Sequence, residues 1–383
     1  MSGKTTNDRI LWLTDTFGDK NGVSTVLNTI HQEIRFRNLP IDILVCSNTL
    51  QPEEHLIVIR PLTEFTFPLY RNQTIRIPVF LSIQRIFRRG KYTRIICSTE
   101  GPMGIAALWL KKTFSVEASF FLHTDWLIFA QAFLSLEETG MGRIQKILKA
   151  YYQGFNNVFV LNTDQQKWLT GAEMGFDPSR VFLTAHWADR IFTDPLTTCP
   201  VISPFNINAP AILYAGRLSK EKGVSDIRAI FSMVRLIIPE MQIIVAGTGP
   251  CEEELKQSIP DALFLGWVNH EAMPSLFHSA DIMLLPSRFD TFSCVTLEAL
   301  SCGLPVAAYN TKGPKDIIQD SVNGFLAETP EELAGKIIGY FLFPDLRLKM
   351  KKAARLRAED YHAEPIMDKL LHDIGLFKET LSV

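Results

Sequence analysis

Short apolar runs alternate with longer amphipathic segments along most of this chain, and that alternation restricts the fold more than any other property of the sequence. The first run, Arg9-Ile-Leu-Trp-Leu-Thr14, leads into a loop holding Gly18 and Gly22, after which helical spacing begins. Runs of the same kind recur at Ile41–Cys46, Thr93–Ser98, Glu117–His123, Asn157–Leu161 and Val181–Thr184. Between them, Ile144, Ile147, Leu148, Tyr151, Tyr152 and Phe155 share one helical face. Short buried strands separated by helices imply a parallel sheet with helices on both sides.

The pattern lapses after Asp194 into the proline-rich stretch Pro195 to Pro210, which reads as a linker. It then restarts at Ala211–Ala215, Gln242–Ala246, Leu263–Leu265, Ile282–Leu285, Pro305–Ala308 and Gly324–Ala327. Helices lie between, one of them with Val224, Ile227, Ile230, Phe231, Val234 and Ile238 on one face. The expected architecture is α/β: two Rossmann-like, doubly wound units, 1–200 and 209–358, with ligand in a central cleft where strand C-terminal ends face each other. The helical pattern at 360–383 is expected to return to the first unit.

Composition removes several classes of function. Thirty-nine Lys and Arg against 41 Asp and Glu leave a net charge of −2, so the chain has no bulk attraction for nucleic acid. Cys46, Cys97, Cys199, Cys251, Cys294 and Cys302 form no CxxC pair and mostly sit in apolar runs, which fits buried thiols in a reducing compartment. The polar opening lacks a secretory core, and no stretch reaches the ~18 apolar residues of a membrane span, so a cytoplasmic location is expected. Ser2-Gly-Lys-Thr5 imitates the tail of a phosphate loop without its strand or leading glycine. In Gly247-Thr-Gly249 the third glycine of a dinucleotide fingerprint falls on Glu252, so a tight turn suffices. Neither a metal-binding histidine spacing nor a G-x-S-x-G elbow occurs.

The densest cluster of polar residues runs from Pro286 to Pro305. A strand enters a loop holding Asp290, and a helix opens near Ser293 and stops at Gly303 and Pro305. Backbone N–H groups along Phe292, Ser293, Cys294, Val295 and Thr296, with the helix dipole behind them, suit an anionic phosphate. Asp290 and Glu298 can turn into the same cleft and accept hydrogen bonds from sugar hydroxyls; either can equally be a dipole partner of the helix. A second cluster, Gly216-Arg217-Leu-Ser-Lys-Glu-Lys222-Gly223, follows Ala211–Ala215. Two fixed cations, Arg217 and Lys222, can neutralise a departing diphosphate without a metal; a solvated loop is the plainer reading. Gly22 permits close backbone approach to a ligand, or simply a turn. His123, past the strand Ala118–Leu122, is either aimed at the cleft or a satisfied structural residue.

Taken together, these elements resemble the family-four retaining glycosyltransferases of the GT-B fold. The resemblance rests on Thr14-Asp-Thr-Phe17 with Asn21-Gly-Val23, Ser98-Thr-Glu-Gly-Pro102 with Gly104, and His123-Thr-Asp125. It continues through Gly216-Arg217 with Glu221-Lys-Gly223, Gly247-Thr-Gly-Pro250, and Thr296-Leu-Glu-Ala299 with Cys302-Gly-Leu-Pro305. It implies sugar transfer from a nucleotide diphosphate sugar to an acceptor hydroxyl of a lipid or glycan, with retained configuration and no cofactor or metal. It further implies Arg217 and Lys222 on the diphosphate, Glu298 on the ribose, Asp290 on the donor sugar, Val268 at the base, and His123 with the Gly22 loop on the reacting side. Asp290 stands where the family usually has glutamate. Trp187-Ala-Asp189 replaces the usual Gly-Val-Asp, which puts the local backbone in question.

Arg71 to Arg94 contains seven basic residues and no acidic one, with Val79, Phe80, Ile83, Ile86 and Phe87 at helical spacing. Such a helix suits an anionic membrane surface on the cytoplasmic side. Alternatively, its apolar stripe is core and its arginines are merely solvated. Two other functions share the architecture: epimerisation of a nucleotide sugar, and non-catalytic nucleotide-sugar binding.

Overall fold

The computed structural model describes residues 8–19, 21–66, 74–127, 130, 138–193 and 209–376. The chain divides into two compact units, Met1–Thr184 with Met367–Val383, and Ala185–Ile366. Residues 194–208, which hold most of the expected linker and Cys199, lie outside the described residues, as do Ser2–Thr5 and Arg71.

The first unit is built on β1 (Ile10–Thr14), β2 (Ile41–Cys46), β3 (Leu56–Ile59), β6 (Arg94–Cys97), β7 (Glu117–Phe121), β8 (Asn157–Val160) and β9 (Val181–Leu183). They form one parallel sheet in the order β3-β2-β1-β6-β7-β8-β9. β1 and β2 are buried along their whole length, as runs covered on both faces must be. An antiparallel pair, β4 (Pro61–Thr66) with β5 (Thr74–Pro78), stands apart and is largely exposed along β4.

One reading of the first unit needs correction, and one open alternative is settled for the apolar stripe. On the helix Glu138–Gln153, Leu148 and Tyr152 face the core, but Ile147 is 67% exposed. The buried stripe runs through 144, 148, 151, 152 and 155, and residue 147 falls off its edge. On the helix Phe80–Gly90, Ile83 and Phe87 are core residues, with Phe80 and Ile86 packed partly against them. The stripe is therefore used by the fold. The outer face carries Leu81, Arg85, Arg88 and Arg89, all exposed.

The second unit repeats the plan with β10 (Ala211–Ala215), β11 (Gln242–Ala246), β12 (Leu263–Gly266), β13 (Ile282–Leu285), β14 (Val306–Tyr309) and β15 (Gly324–Ala327). Their order is β12-β11-β10-β13-β14-β15, all parallel. The helix Val224–Ile237 buries Val224, Ile227, Ile230, Phe231 and Val234 against this sheet. The helix Ala363–Asp373 buries Met367, Leu370 and Leu371, and Arg37 donates to Asp368 Oδ1 at 2.5 Å, which ties this helix to the first unit.

In each sheet the chain reverses its direction of winding beside its first strand, between β1 and β6 and between β10 and β13. Loops leaving the carboxyl ends of two such strands diverge and leave a crevice. Packing beside the first crevice depends on glycine. A Cβ on Gly104 would lie 1.9 Å from Tyr151 Oη and 2.3 Å from the Thr99 carbonyl, whereas one on Gly22 would meet nothing within 4 Å. Gly104→Ala should therefore cost about 1–3 kcal/mol of stability by overpacking, and Gly22→Ala within about 0.5 kcal/mol of none, as read from denaturant midpoints.

Candidate active site

In the second unit the crevice lies between the turn after β10 and the loop after β13. Gly223, at φ +68°, lets the first reach the second: a Cβ there would sit 1.8 Å from the Pro286 carbonyl. Gly247 and Gly249 serve the same purpose, their absent side chains being 1.9 Å from Gly216 O and 2.3 Å from Leu218 O. The Gly247-Thr-Gly249 segment is thus a backbone contact between two strand-end loops, more than the tight turn read from the sequence.

That close approach seats Lys222 against Asp290. Lys222 Nζ donates to Asp290 Oδ1 at 2.5 Å. Burial alone would lower the ammonium's pKa, but the charge and hydrogen bond of Asp290 outweigh it and hold the pKa above its ordinary value. Asp290 is 9% exposed, and its second oxygen, Oδ2, is buried with no hydrogen-bond partner among the described residues. Such an oxygen is a standing acceptor for a ligand hydroxyl.

The helix Cys294–Ser301 opens beside this pair. Ser293 precedes it at φ +73°, unusual for a residue with a side chain, and its hydroxyl lies 2.8 Å from Thr296 Oγ1. The first-turn N–H groups at Cys294 and Val295 have no helical carbonyl before them to bond. Phe292 is buried with its ring edge-on to His186, and Thr296 is fully buried, so their side chains serve the protein itself. Arg217 and Gly216 are exposed at the end of β10, where the Arg217 carbonyl accepts from Tyr214 Oη. Val268 lies half-buried after β12. Glu298 sits on the same helix; burial raises its carboxyl pKa to about 7, His270 opposing and Asp189 reinforcing the shift. Trp187 has no positive φ, so the missing glycine there imposes no left-handed strain.

In the first unit, the crevice between β1 and β6 gathers two carboxyls that the sequence reading left without a role. Asp15 accepts from Thr99 Oγ1 at 2.8 Å and from the Met103 N–H at 3.1 Å, at the opening of the helix Pro102–Phe114. Gly101 admits it, since a Cβ there would lie 2.6 Å from Asp15 Oδ2. Glu100 Oε1 accepts from Tyr152 Oη at 2.8 Å. Burial raises Asp15 to about 6 and Glu100 to about 7, against hydrogen bonds that pull the other way. His123 stacks on Phe121 at 4.5 Å and is held neutral, its pKa lowered to about 3 by burial. Gly22 begins the helix Gly22–Arg37, capped by Asn21, which accepts from Ser24 N–H at 2.9 Å.

Two family models match the chain: "Glycosyl transferases group 1" over residues 200–357 and "Glycosyltransferase Family 4" over residues 20–187. The chain belongs to these glycosyltransferases. A curated relative, the alpha-D-kanosaminyltransferase of Streptomyces kanamyceticus, is 30% identical over 44% of this chain and 46% of its own length. A GDP-mannose-dependent alpha-mannosyltransferase of Corynebacterium glutamicum is 31% identical over 30% of this chain and 27% of its own length. The chain thus spans about half or less of these curated relatives. Among solved structures, a sucrose-phosphate synthase from Thermosynechococcus elongatus superposes with a TM-score of 0.74, at 17% identity over 96% of this chain and 99% of that one. The Anabaena protein HepE, solved with UDP, gives 0.75 at 17% identity over 96% and 100%. The glycosyltransferase fold is GT-B, with two Rossmann-like parallel-sheet domains.

Among the described residues, no helix of this glycosyltransferase is long and apolar enough to cross a membrane, and no three His, Cys, Asp or Glu side chains gather as metal ligands. Asp15 and Glu100 generate a prediction through their burial. Each carboxyl has a folded pKa above its ordinary value, so the folded state holds extra protons between the two values. The stability these groups contribute is full below about pH 4 and is lost as pH rises through about 6 to 7. Urea unfolding should show a decline on the order of 4 kcal/mol between pH 4.5 and 7, which Glu100→Gln should roughly halve.

Proposed function

We propose that this glycosyltransferase moves a sugar from a nucleotide diphosphate sugar to an acceptor hydroxyl of a lipid or glycan, with retention of configuration and without a metal. The observation that carries the reading is the Lys222–Asp290 pair with its unpartnered Oδ2, set beside a helix opening at a switch point between parallel strands. In this reading Asp290 Oδ2 accepts a hydroxyl of the donor sugar. Lys222, Arg217 and the N–H groups at Cys294 and Val295 take up the negative charge that develops on the leaving diphosphate. The ammonium held next to Asp290 is in place before donor arrives, which avoids reorganisation at the moment of bond breaking. Glu298 accepts from the ribose hydroxyls, Val268 meets the base, and Gly216 keeps the β10 turn open. In the first unit, Gly22 and His123 are assigned to the acceptor, with His123 acting as a neutral hydrogen-bonding group.

Arg217→Ala and Asp290→Asn should each lower turnover on the order of 100-fold, measured by nucleotide release with an acceptor present, while activity persists in chelator. Near-normal rates in both variants would sink the assignment. Free epimer formed without any acceptor would favour the epimerase reading instead.

We place the enzyme on the cytoplasmic side, resting on anionic lipid through the outer face of the helix Phe80–Gly90, where Leu81, Arg85, Arg88 and Arg89 are exposed. Each well-placed cation is worth about 1 kcal/mol at such a surface. Sedimentation with vesicles containing one-third phosphatidylglycerol should carry the wild-type chain down at low salt. The Arg85→Glu/Arg88→Glu/Arg89→Glu variant should stay in the supernatant.

A further inference from the structure

Lys222 holds the carboxylate of Asp290, but the backbone that carries Asp290 leans on other elements of the second unit, to which the reading above gives no part. Gly313, at φ +87°, ends the loop that follows β14, and a Cβ there would sit 2.8 Å from the Asp290 carbonyl oxygen and 3.2 Å from the carbonyl carbon of Phe292. Thr311 Oγ1 donates to the Ser287 carbonyl at 3.3 Å. The two strand-end loops therefore lie backbone against backbone, and the loop of Asp290 follows wherever the second one goes.

This second loop runs straight into the helix Pro314–Ile317, which has four residues. So short a helix does not hold itself, and the last carbonyls of any helix have no partner within it. Arg357, in the last turn of the helix Pro344–Glu359, supplies one: its Nε donates to the Ile317 carbonyl at 2.9 Å and its Nη2 to the Asp316 carbonyl at 3.0 Å. The same Nη2 donates to Tyr361 Oη at 3.1 Å, and Tyr361 Oη donates in turn to the Asp316 carbonyl at 3.1 Å. Asp360 Oδ2 accepts from Arg357 Nη1 at 2.8 Å, which sets the plane of the guanidinium. Beyond the turn, the Tyr361 ring reaches the donor loop itself, lying edge-on to Phe292 at 6.1 Å, while His186 meets Phe292 at 5.0 Å. One pair of side chains thus supports the loop by two routes, through the turn at Gly313 and through the ring of Phe292.

We propose that Arg357 and Tyr361 are positioning residues for Asp290, fixing the turn and the aromatic contact on which its loop rests. The functional half of this inference rests on the donor-sugar role given to Asp290 above. Its mechanical half stands on the unliganded protein. Arg357 suits the task because a planar guanidinium serves two carbonyls at once, which a lysine ammonium on a mobile stem does not reproduce. Loss of either residue frees the turn, lets the loop drift and moves Asp290 Oδ2 off the hydroxyl it should meet, while the carboxylate and its Lys222 partner remain. Such misplacement slows bond breaking, and an error of about 1 Å can cost about 100-fold.

The test uses the full chain. In the unliganded protein, hydrogen exchange is read by mass spectrometry on the peptide spanning 311–318, where the amides of Lys315, Asp316 and Ile318 are hydrogen-bonded within the turn. Exchange there should quicken about tenfold in Arg357→Met and in Tyr361→Leu, with β10 and β11 as in wild type. Equal quickening across the whole second sheet, or none, overturns the proposal. With donor and acceptor, kcat should fall about tenfold in both variants, whereas Tyr361→Phe, which keeps the ring on Phe292, should stay within about twofold of wild type. The deciding measurement is a double variant. Because Tyr361 acts through Asp290, Tyr361→Leu/Asp290→Asn should turn over no more slowly than Asp290→Asn alone. Losses that multiply overturn the proposal, as does full turnover in both single variants; should Tyr361→Leu fail to fold, Arg357→Lys takes its place in the cycle with the same expectation. Quickened exchange in Arg357→Met beside normal turnover in Asp290→Asn would support the mechanical half and count against the sugar role of Asp290 instead.

Discussion

Parallel strands buried on both faces push charge toward strand ends, and this protein uses the carboxyl ends twice. Asp42, near the amino end of β2, is kept there by Arg9 and His55, while two further sets collect at the carboxyl ends where winding reverses. Asp15 and Glu100 follow β1 and β6; Lys222 and Asp290 follow β10 and β13. The register Ile212↔Ile282 and Leu213↔Met283 holds the two strands of the second unit side by side, so the loops that continue them are brought close before any ligand contributes.

Holding Lys222 and Asp290 together is not free. Their side chains are 31% and 11% exposed, so much of the hydration of both charges is given up, and a pair so placed stabilises a fold weakly if at all. Its merit is fixed charge in a low-dielectric setting. Gly223, Gly247 and Gly249 make that possible by letting three strand-end loops touch backbone to backbone. A protein that only needed the sheet could have kept those loops apart.

Much of this was legible in the sequence because fully buried strands announce themselves. Ile41–Cys46, Ala211–Ala215, Gln242–Ala246, Ile282–Leu285 and Gly324–Ala327 fall at the strand limits read from their apolar runs. β3, β4 and β5 escaped because they are short, at an edge or outside the main sheets, and mostly not buried, so no uninterrupted run marks them. Ile147 deceived because helical spacing gives a face some width without saying where its edge meets solvent. The site was legible as residue types and not as pairings. Lys222 and Asp290 lie 68 residues apart, and nothing local joins them. Asp15 and Glu100 were visible within motifs, but their altered acidity comes from burial, which is a tertiary property. Gly101 and Gly104 mark that burial, since each makes room for a named group.

The helix Ala363–Asp373 bears on how the chain is made. Its Met367, Leu370 and Leu371 complete the unit that opens the sequence, yet they leave the ribosome about 180 residues after the rest of that unit. At ordinary elongation rates that delay is roughly 10–40 s. During this interval the nascent amino-terminal body must persist with an apolar flank uncovered, while the second sheet is being synthesised. Its final consolidation, marked by the Arg37–Asp368 contact, therefore waits until the second sheet has been synthesised, and the interval before it is the period in which a chaperone has something to hold.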